Sequence, residues 1–235
     1  MPTLLTTPRQ DSRTRTHHPV ARTAATLLGW AVLLWAALCG LGLLLTGPLQ
    51  HTRFEHADGA TDRWLAGHRT PAATTITHWL TFGAETVTVA AVGLVFFVVL
   101  RLRLHRWRES IFLLVAVLGE VLIFVATTLM IDRARPHVTH LDPAPPTSSF
   151  PSGHTAAAVT LYGTLAIIAL TTSTLAWLRR TAVTLAVLVP LCVAFSRLYR
   201  GMHYPSDVLA GAALAATWLW ITSSVLLPNN PRNQP

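Results

Sequence analysis

The stretch Ser196-Arg197-Leu198-Tyr199-Arg200-Gly201-Met202-His203-Tyr204-Pro205-Ser206-Asp207 separates two apolar runs, residues 181–195 and 208–227. It packs two arginines, a histidine and an aspartate into one short connector. The flanking runs approach the roughly 20 apolar residues that cross a bilayer as a helix. The earlier one carries Pro190 and is expected to continue as helix through Arg197. Four further apolar runs precede this pair, at 24–45, 79–100, 110–131 and 155–177. The polar dozen is therefore a membrane-surface connector between the fifth and sixth spans of an all-α, six-helix transmembrane bundle.

Composition agrees. Hydrophobic residues make up 51% of the 235 and charged residues 12%, with a mean hydropathy of +0.46, which excludes an ordinary soluble globule. All 18 basic residues are arginine, the signature of a GC-rich, bacterial type of coding bias, and the net charge is +8. These arginines flank apolar runs and do not form one basic face, so they point to membrane topology and not to nucleic acid. Cys39 and Cys192 fall inside apolar runs and read as small core residues, with no disulfide framework. The first run and its polar lead are too long for a cleaved signal peptide.

Eleven arginines lie on one side of this arrangement. Arg9, Arg13, Arg15 and Arg22 precede the first span, and Arg101, Arg103, Arg106 and Arg108 join the second to the third. Arg179 and Arg180 join the fourth to the fifth, and Arg232 is in the tail. Seven lie on the other side. Both termini are thus expected in the cytoplasm. Residues 1–23 read as a basic cytoplasmic leader expected to be disordered, 24–227 as the membrane domain, and 228–235 as a cytoplasmic tail. Within residues 51–77, Phe54, Trp64, Leu65 and Ile76 suit a short interfacial helix. Pro143, Pro145 and Pro146 make 139–150 an extended loop.

Three polar connectors open on the non-cytoplasmic face: Arg135-Pro136, Pro151-Ser152-Gly153-His154 and the quoted stretch. A neutral imidazole attacks phosphorus when its attacking nitrogen is unprotonated and aimed. A carboxylate bound to the other ring nitrogen achieves both. Asp207, in the first turn of a helix begun at Pro205, is placed to reach back to His203. The backbone N–H groups of Ser152, Gly153 and His154 suit an anion at a helix N-terminus. Gly153 permits close approach there, Ser152 adds its hydroxyl, and His154 stands to protonate a leaving oxygen. Arg135 and Arg197 suit bidentate contact with phosphate. Each feature alone has a plainer reading, as an N-cap serine, a chance His–Asp spacing or headgroup-snorkelling arginines. Their occurrence together on one membrane face favours phosphate chemistry. Glu120 lies inside the third span, about 22 Å of helix from Arg135, and reads as a structural bond within the bundle.

These motifs resemble the type-2 phosphatidic acid phosphatase superfamily of integral-membrane lipid phosphatases. Its pattern is Lys-x6-Arg-Pro, Pro-Ser-Gly-His and Ser-Arg-x5-His-x3-Asp. The second part reads here Pro151-Ser152-Gly153-His154, and the third Ser196-Arg197, His203 and Asp207. The resemblance covers nearly the whole chain from the first span onward. It implies a reaction without metal or cofactor, with His203 as nucleophile, Asp207 as its partner and His154 as general acid. Arg135, Ser152, Gly153 and Arg197 would hold the phosphate. One departure is clear: Thr128 stands where the family pattern has lysine. Thr128 is expected to give a weaker hydrogen bond, with Arg133 or Arg200 supplying charge.

The expected activity is hydrolysis of a lipid phosphomonoester or diphosphate through a phosphohistidine, at the outer face of a cell (inner) membrane. Candidate substrates are a polyprenyl phosphate or diphosphate, phosphatidic acid and phosphatidylglycerol phosphate. The partners are then the lipid substrate and the bilayer, with oligomeric state open. Two alternatives share the residues: phosphotransfer from His203 to a second acceptor, and lipid or anion binding without turnover, for which the absent lysine is the support.

Overall fold

The computed structural model describes residues 19–227. Among them are eight α-helices and no strand: α1 (Pro19–Thr46), α2 (Arg53–Gly67), α3 (Pro71–Phe82), α4 (Thr86–Val98), α5 (Trp107–Met130), α6 (Gly153–Thr172), α7 (Ala176–Tyr199) and α8 (Pro205–Leu226). Six are long and apolar enough to cross a membrane, α4 only because it runs on as a π-helical turn over Val99–Arg103. The fold is the expected all-α six-span bundle. Residues 19–23, expected in the leader, already belong to α1. The rest of the leader, 1–18, and the tail, 228–235, lie outside the described residues.

The second span differs from expectation. Residues 79–100 do not form one helix: α3 stops at Phe82, the chain turns at Gly83, and α4 starts at Thr86. Tertiary contacts hold the turn. Ala84 is buried against Ala158 and Val193, and the Tyr162 hydroxyl donates to the Gly83 carbonyl at 3.1 Å. A hydropathy run does not register such a break.

Two helices, α2 and α3, therefore occupy the segment where one interfacial helix was expected. Thr52 and Thr70 cap them through their hydroxyls, and Pro71 pre-sets the first turn of α3. α3 is bound to α7. The Ser196 hydroxyl donates to the Thr77 carbonyl at 2.7 Å and shares a 2.6 Å bond with the Thr81 hydroxyl. The Tyr199 hydroxyl accepts from the Thr70 N–H at 2.8 Å. As anticipated, the fifth span runs through Arg197, and α7 carries Pro190 inside it.

α6 and α8 are the most enclosed spans. α6 packs against α5, α7 and α8, and α1 closes the side formed by α5 and α8. Leu122, Leu129 and Leu209 point outward and are exposed, as lipid-facing positions require. Small residues set the close approaches. The Trp218 indole lies over Gly119 and donates to the Ala116 carbonyl at 3.0 Å. Gly211 of α8 lies against the Ser152 carbonyl, where a Cβ would overlap it. That contact brings the start of α6 against the start of α8.

Candidate active site

The C-termini of α5 and α7 and the N-termini of α6 and α8 meet at one end of the bundle. The Ser152 N–H donates to the Asp207 carbonyl at 2.9 Å. Arg135 Nη1 donates to the Met202 carbonyl at 2.8 Å. The Ser149 N–H donates to the Arg133 carbonyl at 2.9 Å. The three motif-bearing connectors are thus joined by hydrogen bonds to backbone carbonyls. Arg101, Arg103, Arg106, Arg108, Arg179 and Arg180 flank the other ends of the spans.

His203 is buried. Its Nδ1 lies 2.7 Å from the Ser149 carbonyl oxygen. A carbonyl only accepts, so Nδ1 carries the hydrogen, and in the neutral ring Nε2 keeps its lone pair. Burial, then the nearby charges of Arg197 and Arg135, hold the imidazole well below its usual pKa of 6.5. The ring is therefore neutral at physiological pH.

Asp207 does not make the expected bond to His203. Its Oδ2 is 3.9 Å from Nδ1 and accepts instead from the Tyr204 N–H at 2.9 Å, capping α8. Its Oδ1 pairs with Arg133. The reason is local: an acid in the first turn of a helix is captured by that helix's own free N–H groups. The backbone of the 132–152 loop has taken over the aiming of the imidazole.

Arg135 and Arg197 share one pattern. Each is anchored through Nη1, Arg135 to the Met202 carbonyl and Arg197 to Asp142 at 2.9 Å, and Arg135 also reaches the Thr147 carbonyl through Nη2 at 3.4 Å. In each, Nε is buried without a partner. His154, half-buried at the first turn of α6, stands in the fields of Arg197, Asp142 and Arg135. His203, His154, Arg135 and Arg197 form one electrostatic group, and two of its guanidiniums keep an unpaired Nε–H.

Arg133 is placed otherwise, which corrects the expectation that it holds phosphate. Its Nη2 donates to Asp58 at 2.9 Å, and its Nη1 donates to Ser206 at 2.7 Å and to Asp207. It also lies over the Tyr204 ring at 4.4 Å. Burial opposes its charge, but Asp207 and Asp58 outweigh that and raise its pKa. Asp58 also accepts from the Ser206 N–H at 3.0 Å. This buried cluster ties α2 to the start of α8. Sequence reasoning missed Asp58. Its signal was the spacing of Asp58, Asp62 and Leu65, which share the buried face of α2.

Thr128 and Arg200 do not replace the missing charge either. The Thr128 hydroxyl donates to the Val125 carbonyl of its own helix at 2.9 Å. Arg200 is committed to Asp142 through Nε at 2.7 Å and Nη2 at 2.5 Å, and to the Thr74 carbonyl. Ser152 is buried; its N–H is taken by Asp207, and its hydroxyl shares a 3.0 Å bond with Thr155. Its N–H thus leaves the anion cradle expected of it. Gly153 abuts the Phe124 ring, 2.7 Å from where a Cβ would sit, so packing already favours glycine there.

A model of the PAP2 superfamily matches residues 109–231. This chain belongs to the PAP2 superfamily. The matched segment runs from the first turn of α5 past the end of α8 and contains every motif residue named above. The PAP2 fold extends further. A solved PAP2-type phosphatidylglycerolphosphate phosphatase from Bacillus subtilis superposes with a TM-score of 0.68, covering 91% of this chain and 98% of that one. At 20% identity, that match speaks for the fold. An undecaprenyl-diphosphatase of Sulfolobus acidocaldarius is 32% identical over 111 residues, 47% of this chain. The match spans 48% of that relative's length. Among PAP2 motif positions, Thr128 is the one that departs from the family pattern, and its hydroxyl bonds within its own helix.

Proposed function

We propose that this PAP2 protein is a metal-independent phosphatase of lipid phosphates, acting through a phosphohistidine on His203. The observation that carries the reading is the Nδ1–H bond from His203 to the Ser149 carbonyl. It leaves Nε2 as a nucleophile beside two arginines with unused Nε–H groups. Nε2 attacks phosphorus as the bond to the lipid oxygen breaks. His154 gives that oxygen its proton. Arg135, Arg197 and the free N–H groups at the start of α6 stabilise the charge on the equatorial oxygens. In the second half-reaction, water attacks phosphorus, His154 takes its proton, and the Nε2–P bond breaks. Asp207 acts by holding Arg133 and the start of α8, which carries His203 beside it.

The substrate is a lipid because the site sits at the end of membrane spans. The S. acidocaldarius relative suggests a polyprenyl diphosphate, and the B. subtilis fold relative a phosphatidylglycerol phosphate. The arginine distribution supports a site on the non-cytoplasmic face of a cell membrane, with both termini inside. The test is phosphate release by the purified full chain in detergent, with EDTA present, across polyprenyl, phosphatidic and phosphatidylglycerol phosphates. Release from at least one lipid is expected, lost in His203→Ala. No release from any of them, or release unchanged in His203→Ala, rejects the proposal. A protease-accessible tag inserted in the 139–150 loop reports the side of the membrane.

A further inference from the structure

The arginines near His203 are sorted by one carboxylate that the family motifs do not include. Asp142 lies in the proline-rich loop between α5 and α6. It accepts from Arg197 Nη1 at 2.9 Å, from Arg200 Nε at 2.7 Å and from Arg200 Nη2 at 2.5 Å. Arg200 Nη2 also donates to the Leu141 carbonyl at 2.9 Å, and the Leu141 N–H donates to the Arg200 carbonyl at 3.1 Å. Loop and connector are thus locked together at this point. Burial pushes the Asp142 carboxyl up, but the hydrogen bond from Arg200 and the two guanidinium charges outweigh it and keep it ionised.

The consequences for the two arginines differ. Arg200 has both of its outer edges occupied, by Asp142 and by the Thr74 carbonyl at 3.1 Å. Arg197 is held by one nitrogen only, and its Nε is buried without a partner. One carboxylate therefore withdraws one cation from the group around His203 and orients the other. Asp142 also bears on His154. A phosphate bound between His154 and His203 meets the unpaired Nε–H groups of two guanidiniums, those of Arg135 and Arg197, and no third cation.

We propose that Asp142 is a positioning residue that sets the charge and the direction of the phosphate cradle: it anchors Arg197 by Nη1 and sequesters Arg200. The inference rests on the phosphatase reading for its kinetic part but not for its binding part. A cradle with two guanidiniums holds a phosphate dianion and still releases it. With Arg200 freed, the ground-state anion is held more tightly, while Arg197 loses the fixed geometry that transition-state contact requires. Affinity for phosphate and turnover then move in opposite directions. A residue that merely props up the loop would weaken both.

The experiment uses the full chain in detergent, with inorganic phosphate as the probe and calorimetry as the readout, beside kcat for release from a lipid phosphate. Asp142→Asn is expected to bind inorganic phosphate at least about threefold more tightly while kcat falls about tenfold or more. Adding Arg200→Ala to that variant is expected to return phosphate affinity to within about twofold of the unsubstituted protein, because the freed cation is gone. Asp142→Glu, which keeps the charge, is expected to bind phosphate as the unsubstituted protein does. If the asparagine variant is not monodisperse, Asp142→Ser takes its place with the same expectation. Phosphate binding in the charge-removing variant that is unchanged or weaker, or affinity that Arg200→Ala does not restore, overturns the inference. If the unsubstituted protein releases no phosphate from any lipid, the phosphatase reading fails, and the binding measurements still decide the role of Asp142.

Discussion

His203 donates from Nδ1 to the Ser149 carbonyl oxygen at 2.7 Å, a bond between residues 54 positions apart. The Asp207 carboxylate, four residues away in sequence, stands 3.9 Å from the same nitrogen. The imidazole is therefore aimed by loop backbone, and the carboxylate beside it serves the structure around it.

That arrangement predicts the phenotype of Asp207→Asn. The substitution removes half of the carboxylate pair around buried Arg133, and the N3 acceptor of α8 loses its charge. Removing one partner of a buried ion pair costs about 3–5 kcal/mol. Asp207→Asn and Asp58→Asn should both lower the thermal midpoint in detergent, while Arg197→Ala should lower activity with a smaller effect on that midpoint. A stable, inactive Asp207→Asn protein would instead make Asp207 a direct partner of the histidine.

The pH profile follows from the state of His203. Its pKa is held well below 6.5 by burial and by Arg197 and Arg135, so Nε2 stays unprotonated as pH falls through the ordinary histidine range. The prediction is that kcat/KM shows no acid limb near pH 6.5, and that the acid limb moves up toward that range when Arg135 and Arg197 are both changed to glutamine. An acid limb centred there in the unsubstituted protein counts against a pre-neutralised nucleophile.

Asp62 gives a separate pH effect, on stability. Both of its carboxyl oxygens are buried without partners, and burial, with Asp58 and Asp207 nearby, pushes its pKa up to about 8 from 3.8. The folded protein keeps this proton where the unfolded chain has lost it. Stability therefore falls as pH rises from about 4 to about 8, and levels off above the folded pKa. Asp62→Asn mimics the protonated acid and should flatten that slope. Thermal midpoints at about pH 5.5 and about pH 8.5 check it, and an equal drop in both proteins removes Asp62 as the cause.

Two glycines at the helix starts should respond differently to alanine. At Gly153, a methyl meets the Phe124 ring, the movable end of a side chain. At Gly211, it meets the Ser152 carbonyl, which is backbone. Gly211→Ala should destabilise by about 1–3 kcal/mol and reduce activity by separating α6 from α8. Gly153→Ala should be milder and be rescued by Phe124→Leu. Thermal midpoints of the three variants test this, and an equal loss in both single variants contradicts it.

Much of this was legible along the chain. Runs of apolar residues near bilayer length mark the spans, because a membrane imposes a one-dimensional requirement that sequence satisfies locally. His203, His154, Arg135 and Arg197 were legible for the same reason, since each stands at the end of a span and chain direction puts those ends on one face. The break at Gly83 was not, because contacts with Tyr162, Ala158 and Val193 hold it and none of these is near in sequence.

The sequence alone determined the six-span class, the gathering of the motifs at one end of the spans and the residue types able to handle phosphate. Tertiary structure decided which charge serves which partner. Arg133, Arg135, Arg197 and Arg200 look alike as letters, and all four lie at the same end of the bundle. Asp58 and Asp207 claim the first, and Asp142 claims the last and anchors the third. The physical reason is desolvation: a buried guanidinium is costly without an acceptor, so each arginine is assigned by the carboxylate or carbonyl that folding brings within reach. Apart from Asp207, those acceptors come from α2, from the proline-rich loop and from backbone, none of which the motif spacing encodes.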